Sequence, residues 1–130
     1  MNTTDNQKNT PFFKFENLRI YHKSIQFSTA VLAIYDLTRN DADRMVAEHL
    51  FKASSMITNN IIEGSSSCKS SFVESLQQAK SNIRVCVTLT ALLLNRKVID
   101  EEQANDIRNE LIELTKMTGA LIVSLQGENV

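Results

Sequence analysis

Helix-breaking residues are scarce in this chain, and their placement leaves room for long helices. The only proline is Pro11, and the three glycines are Gly64, Gly119 and Gly127. Neither residue type occurs from residue 12 to residue 62, and these two types are the strongest local interruptions of a helix. The chain is therefore predicted to form long helices, with its sharpest interruption at Gly64.

Apolar residues at helical spacing predict two helices in the first half of the chain. The first runs from about residue 17 to residue 37, and residues three or four apart form its inner face: Leu18, Tyr21, Ile25, Ser28, Leu32 and Tyr35. The second begins near Asp41 or Asp43, either of which can cap it. Its inward residues are Val46, Leu50, Ala53, Ile57 and Ile61. Gly64 is predicted to end this helix in the left-handed conformation.

Two further helices are predicted in the second half, each preceded by a capping-box pattern. Ser71 and Glu74 form the first box. The third helix continues to about Asn95 with an inner stripe of Phe72, Leu76, Ala79, Ile83, Cys86, Thr90 and Leu93. Asp100 and Gln103 form the second box. The fourth helix buries Ala104, Ile107, Leu111, Leu114, Thr118, Leu121 and Leu125.

These helices predict an all-α protein, an up-down-up-down antiparallel four-helix bundle, because short loops make successive helices antiparallel. The bundle is predicted to span residues 13–126, between flexible tails at residues 1–12 and 127–130. A strand over residues 85–90 is the alternative, since that stretch is rich in β-branched residues. The capping box and the continuous stripe favour the helix.

The third helix is apolar nearly all round, which bears on subunit association. From residue 83 to residue 94 the only charged residue is Arg84. Several apolar residues fall off the inner stripe, namely Val85, Val87, Leu89 and Leu92. This apolar stretch of twelve residues is too short to cross a bilayer. The apolar face of the third helix that points away from the core is therefore predicted to be covered by another copy of the chain, giving a homo-oligomer. A wide inner stripe with a few tolerated surface aliphatics is the alternative.

Charge is nearly balanced, with a net charge of -1, but it is unevenly placed. Residues 98–130 carry two basic and seven acidic side chains. Basic residues are concentrated on the middle helices, and the candidates for binding nucleic acid are Arg44, Lys52, Lys69, Lys80, Arg84, Arg96 and Lys97. An ordinary solvated face is the alternative explanation of these charges.

Other candidate sites are few. Ser65, Ser66, Ser67 and Lys69 precede a helix N-terminus, where an anion can bind, although loop and capping chemistry also explains them. His22 and His49 have no ligand spacing for zinc. The methionines Met45, Met56 and Met117 are interpreted as packing residues, and Gly119 as a site of close helix contact. We predict no catalytic residues, no metal, no cofactor and no membrane association.

Cysteine usage indicates the compartment. Cys68 and Cys86 are too few for a disulfide framework, which is typical of the reducing cytoplasm. The first ten residues lack the apolar stretch of a signal peptide. Both features favour a cytoplasmic location.

The most specific motif between Phe13 and Leu125 is the signature Asn-Ile-x-Glu-Gly, formed by Asn60, Ile61, Glu63 and Gly64. With this signature, the stretch resembles the four-helix-bundle proteins encoded in 23S rRNA intervening sequences. The resemblance implies an up-down-up-down bundle and rings of five subunits. It also implies a relation to the nucleic-acid-binding accessory proteins of the reverse transcriptases in diversity-generating retroelements.

This chain departs from the family pattern at several positions. Phe51 and Lys52 stand where the family usually has an arginine pair, and Met56 replaces a serine. Ser81, Asn82 and Val85 replace a Gly-Ser pair and a following glutamate. These changes remove positive charge and polarity, so they weaken nucleic-acid binding more than the fold.

The polar signature residues have two interpretations. Asn60 and Glu63 are expected to hydrogen-bond to backbone at the turn or across a subunit boundary, since buried polar groups need partners. A catalytic or metal-binding Glu63 is the alternative. The predicted function is a non-enzymatic homo-oligomeric scaffold that engages RNA or DNA, with a reverse transcriptase as an implied partner. The alternative is a protein-binding bundle without nucleic-acid binding.

Overall fold

The computed structural model describes residues 12–127, and this part of the chain contains four long helices and no strand. Helix α1 spans Arg19–Tyr35, α2 spans Asp41–Ser65, α3 spans Lys69–Asn95 and α4 spans Glu101–Gly127. A short 3-10 helix at Lys14–Asn17 precedes α1. The all-α prediction is confirmed, and residues 85–90 are helical rather than extended. The predicted tails fall mostly on residues 1–11 and 128–130, which lie outside the described range.

The helices pack in sequence order, which confirms the up-down-up-down bundle. Helices α2 and α3 share the most extensive interface, and α1 and α4 share the smallest. Because α1 has 17 residues and α4 has 27, α1 covers only part of the length of α4 at 1.5 Å per residue.

The inner stripe of α3 is confirmed in full, since all seven predicted residues are buried. In α4 the stripe is correct as far as Thr118, but Ile122 is then buried in place of Leu121 and Leu125, which are half-buried. Alternating steps of three and four residues give a mean repeat of 3.5, whereas a straight helix has 3.6 residues per turn. Residues chosen at the shorter repeat therefore move gradually away from the buried face. In α2, Val46 is half-buried and the other four predicted residues are buried.

The predicted inner face of α1 is wrong. The buried residues are Ile20, Ser24, Phe27, Val31 and Ile34, whereas Ile25 and Leu32 are exposed. Both faces carry apolar residues at helical spacing, so periodicity alone cannot choose between them. The observed face buries Phe27 completely, and its serine is accommodated because Ser24 Oγ donates to the carbonyl of Tyr21 at 2.7 Å.

Hydroxyl groups set the register between α1 and α2. Thr58 Oγ1 donates to Ser24 Oγ at 2.8 Å, and Ser28 Oγ donates to Ser54 Oγ at 2.9 Å. Ser54 Oγ in turn donates to a carbonyl of its own helix at 2.7 Å. Because a shift along either helix would leave these hydroxyls without partners, the two pairs specify one alignment.

The helix starts are partly as predicted. The Asp100 box is confirmed, since Gln103 N donates to Asp100 Oδ1 at 2.8 Å and Asp100 N donates to Gln103 Oε1 at 2.9 Å. Helix α2 is capped by Asn40 rather than by an aspartate, through a 2.9 Å bond from Asp43 N to Asn40 Oδ1. The box predicted at Ser71 is wrong, because α3 begins at Lys69 and Ser71 lies inside its first turn.

Gly64 does not terminate α2 as predicted, since the helix continues to Ser65 and no described glycine has a positive φ. Glycine is needed there for a different reason. A Cβ at this position would lie 2.6 Å from Phe72 Cδ1 and 2.8 Å from Ser75 Cβ, so Gly64 permits the close approach of α2 and α3. Gly119, by contrast, has open space where its Cβ would be, and the predicted close helix contact there is wrong.

Lys97, which follows the end of α3, carries backbone strain and supports a testable prediction. Its φ is 63°, in the left-handed region that favours glycine. Lys97→Gly is expected to raise the free energy of unfolding by about 0.5–1 kcal/mol, because the strain disappears. Urea denaturation followed by circular dichroism measures the change. A loss of stability would mean that the Lys97 side chain makes a contribution larger than the strain.

Candidate nucleic-acid and subunit interfaces

Two of the seven basic candidates are already paired with carboxylates. Arg96 Nε lies 2.6 Å from Asp43 Oδ1, and Asp43 is buried. Arg44 NH1 lies 3.0 Å from Asp41 Oδ1 on the surface of α2. Both arginines lie at the end of the bundle where α2 begins and α3 ends, together with Lys97. Their pairing reduces the positive potential of that end.

The other basic candidates are distributed along the bundle. Lys52 is exposed on α2, and Lys69 lies at the opposite end, where α3 begins. Lys80 and Arg84 lie on the side of α3 that faces α4, since Val87 and Ala91, seven residues later, line a cleft with α4. Arg84 donates to Ser81 Oγ at 3.1 Å. The structure therefore places these charges along the length of the bundle rather than in one compact patch.

Asn60 of the signature joins α2 to α3. Its Nδ2 lies 3.4 Å from Gln78 Oε1, and its Oδ1 accepts a 3.0 Å bond from Asn82 Nδ2. The predicted partner was backbone at the turn or another subunit; the partners are instead side-chain amides of the neighbouring helix. Asn82 is one of the residues at which this chain departs from the family pattern, so the departure supplies part of this cluster.

Glu63 acts through its backbone. Its carbonyl accepts bonds from the hydroxyls of Ser66 and Ser67, each at 3.0 Å, while its side chain is exposed. Ser65 likewise donates to the carbonyl of Ile62 at 2.9 Å. The serine loop therefore satisfies the last carbonyls of α2, as the capping interpretation expects. Ile61 is fully buried, and with Gly64 against α3 the signature holds the α2–α3 corner together.

Four apolar side chains are exposed on one side of the α2–α3 pair: Met45 (55% exposed), Met56 (40%), Val85 (46%) and Leu92 (41%). The Asp43–Arg96 and Asn60–Asn82 contacts set the antiparallel register, which places Met45 near the level of Leu92 and Met56 near the level of Val85. We call these four residues the α2–α3 face.

The exposure of two predicted interface residues and of two methionines differs from what the sequence predicted. Val87 and Leu89 are half-buried and pack against the core. Met45 and Met56, interpreted from the sequence as packing residues, are exposed, whereas Met117 does pack against the core. Sequence reasoning missed the methionines because an apolar residue at helical spacing does not by itself indicate which face is covered.

The two histidines do not lie together in one site. His22 Nε2 donates to the carbonyl of Glu16 at 2.6 Å, and His49 is exposed on α2. Within residues 12–127 no three histidine, cysteine or acidic side chains are grouped as metal ligands. Over the same residues, no helix combines the length and the apolarity that crossing a membrane requires.

Cys68 precedes α3 and carries a second testable prediction. Hydrogen bonds between its sulfur and Ser70 and Ser71 lower the pKa of the Cys68 thiol to about 7, while burial raises the pKa of the Cys86 thiol to about 12. Because the thiolate is the nucleophile, alkylation of Cys68 by iodoacetamide is expected to accelerate as the pH rises through about 7. Cys86 should remain unmodified in the folded protein. Peptide mass mapping across pH measures both, and a Cys68 midpoint above pH 8 would contradict the prediction.

The architecture defines the class of protein: an antiparallel four-helix bundle whose polar signature residues stabilise a helix corner. The family model for the 23S rRNA-intervening sequence protein matches residues 16–120, and the chain belongs to this family. Among solved structures, it is similar to a protein of unknown function from the S23 ribosomal protein family of Bacteroides thetaiotaomicron. The identity is 21%, the TM-score is 0.72, and the match covers 79% of this chain and 97% of that chain. No curated protein matches the sequence.

Proposed function

We propose that this protein is a non-enzymatic helical scaffold that associates with copies of itself and engages RNA or DNA. The observation that supports the proposal is the α2–α3 face, where four large apolar side chains are exposed on two neighbouring helices. Methionine and aliphatic side chains at the centre of a surface patch are typical of protein interfaces, whose cores are depleted in charge.

A second exposed apolar pair favours a ring over a two-fold dimer. Ile25 and Leu32 are exposed on α1, away from the α2–α3 face. A ring needs two different surfaces on each subunit, because each copy meets its neighbours head to tail. The α2–α3 face of one copy against the outer side of α1 in the next would meet this requirement. Five subunits is the number that the family resemblance implies.

Nucleic-acid engagement is supported by three basic candidates of α2 and α3, Lys52, Lys80 and Arg84, none of which has an ion-pair partner among residues 12–127. In a ring these charges repeat with each subunit, and neutralising several phosphates releases several counterions. A reverse transcriptase is a further partner that the resemblance implies. The alternative function, protein binding alone, is favoured by the neutralised Arg44 and Arg96 and by the acidic first turn of α4.

Sedimentation velocity tests self-association. We expect an oligomer at micromolar concentration and a monomer for the double variant Val85→Asp/Leu92→Asp, because two charges would be buried without partners. Val123→Asp, at a residue 69% exposed on α4, is the matched control and should leave the oligomer intact. A wild-type protein that sediments only as a monomer would refute the proposed scaffold.

Salt-dependent binding tests nucleic-acid engagement. Fluorescence anisotropy with a labelled RNA should show binding at about 50 mM salt that weakens as salt increases. The triple variant Lys52→Gln/Lys80→Gln/Arg84→Gln should lower both the affinity and the salt slope, whereas Lys116→Gln on α4 should not. Self-association without any nucleic-acid binding at low salt would leave the protein-binding alternative.

A further inference from the structure

The start of the described chain carries a cluster of aromatic rings outside the hydrophobic core. Phe12 and Phe13 contact edge to face at 5.1 Å between ring centroids, and Phe13 stacks on Phe15 at 5.7 Å with an interplanar angle of 30°. Phe15 continues the chain of contacts to Tyr21 at 4.9 Å. We call these four rings the aromatic cluster.

The outer part of this cluster is unusually exposed for phenylalanine. Phe12 is 90% exposed and Phe13 is 54% exposed, whereas Tyr21 is half-buried against the core. The inner rings therefore anchor the cluster to α1, and the outer rings present open faces to water.

The backbone beneath the cluster is held in place. Glu16 N donates to the carbonyl of Phe13 at 3.1 Å, and Leu18 N donates to the carbonyl of Phe15 at 3.0 Å. Nε2 of His22 reaches back from α1 to the carbonyl of Glu16 at 2.6 Å. The backbone of Phe13 and Phe15 is consequently positioned before any ligand arrives, which lowers the ordering cost of binding.

Two unpaired cations lie close to the open rings in the sequence. Lys14 and Arg19 are exposed, and neither has an ion-pair partner among residues 12–127. The third basic residue of this segment, Lys23, is held by Glu113 at 2.6 Å and by Glu110 at 3.5 Å. Glu16 is the only acid between Phe12 and Lys23. Exposed aromatic faces beside unpaired cations are the combination that binds unpaired bases and their phosphates.

We infer that the aromatic cluster is a stacking platform for the unpaired bases of single-stranded nucleic acid, with Lys14 and Arg19 contacting the flanking phosphates. The inference rests on the proposed nucleic-acid engagement and deepens it by naming the form of nucleic acid that is recognised. A duplex keeps its bases stacked inside the helix and offers no free face to Phe12 or Phe13. Single strands are therefore preferred over duplexes of equal length.

Anisotropy with three labelled probes tests the platform: a ten-nucleotide single-stranded RNA, an abasic strand of the same length, and a blunt-ended duplex of ten base pairs. The variant Phe12→Leu/Phe13→Leu keeps apolar bulk but removes the planar rings. We expect its affinity for the single strand to fall by about fivefold to 150-fold per stacked base, with little change for the other two probes. Val123→Ala, an exposed apolar change on α4, is the control.

Lys14→Gln/Arg19→Gln should instead reduce the salt slope for single strands by about 1.4, or 0.7 for each lost phosphate contact. Equal affinity for the intact and abasic strands would overturn the platform while leaving the proposed nucleic-acid binding in place. No binding of any probe at about 50 mM salt would overturn both. A change in the sedimentation coefficient of Phe12→Leu/Phe13→Leu would show the cluster to be a subunit contact and would overturn the platform as well.

Discussion

Gly64→Ala is expected to lower the free energy of unfolding by about 1–3 kcal/mol, the usual cost of forcing an extra methyl group into a packed contact. The added Cβ would lie 2.6 Å from Phe72 Cδ1 and 2.8 Å from Ser75 Cβ. Neither atom is the free end of a flexible side chain, so α2 and α3 must separate locally. Alanine gains about 1 kcal/mol of helix propensity over glycine, and the expected clash exceeds that gain.

Gly119→Ala is the matched control for this prediction. It makes the same chemical change within a helix, but nothing lies within 4 Å of the new Cβ. Only the propensity gain then remains, so we expect an increase in stability of about 1 kcal/mol. Urea denaturation of both variants measures the difference. Equal and positive effects would show that the α2–α3 contact at Gly64 can relax without cost.

The ion pair between the buried carboxylate of Asp43 and the exposed guanidinium of Arg96 is expected to contribute about 1.5–3 kcal/mol to stability as a charge-assisted hydrogen bond. Asp43 is buried, its Oδ2 also accepts a 3.0 Å bond from Asn40 Nδ2, and Arg96 Nε reaches its Oδ1 at 2.6 Å. Removing Arg96, whose own side chain is 45% exposed, leaves the buried Asp43 carboxylate without its cation. A double-mutant cycle with Asp43→Ala and Arg96→Ala measures the coupling energy.

Asp41 and Arg44 provide the control cycle. Their 3.0 Å contact joins two residues of one helix, and the Asp41 side chain is fully exposed. Such surface pairs typically contribute less than about 0.5 kcal/mol. A coupling energy for Asp43 and Arg96 no larger than that of the control pair would contradict the structural role given to the Asp43–Arg96 pair.

Local sequence patterns correctly predicted the features that depend only on residues close together in the chain. The complete inner stripe of α3 and the reciprocal hydrogen bonds of Asp100 and Gln103 involve residues within a few positions of one another. The exposure of the apolar candidates was predicted less well, because Val87 and Leu89 pack against the core while Met45 and Met56 are exposed. Deciding that required the arrangement of α2 beside α3.

The helix boundaries also show that a local sequence signal can be overruled by contacts between helices. The sequence offered Asp41 and Asp43 as caps, but Asn40 performs that role. Asp43 lies inside the first turn of α2, and its carboxylate pairs with Arg96. The left-handed end predicted at Gly64 followed from glycine's usual place after a helix. The helix instead passes through Gly64, since the residue is required for the approach of Phe72.

By itself, the sequence determined that this chain is a four-helix antiparallel bundle, because helical period and the scarcity of breakers are local properties. Only the tertiary structure decided which face of α1 is buried, why Gly64 is a glycine and which cation neutralises Asp43. The Asp43–Arg96 pair spans 53 residues, and the Thr58–Ser24 hydroxyl bond spans 34. Contacts over such separations depend on how whole helices pack, and no local pattern of residues encodes them.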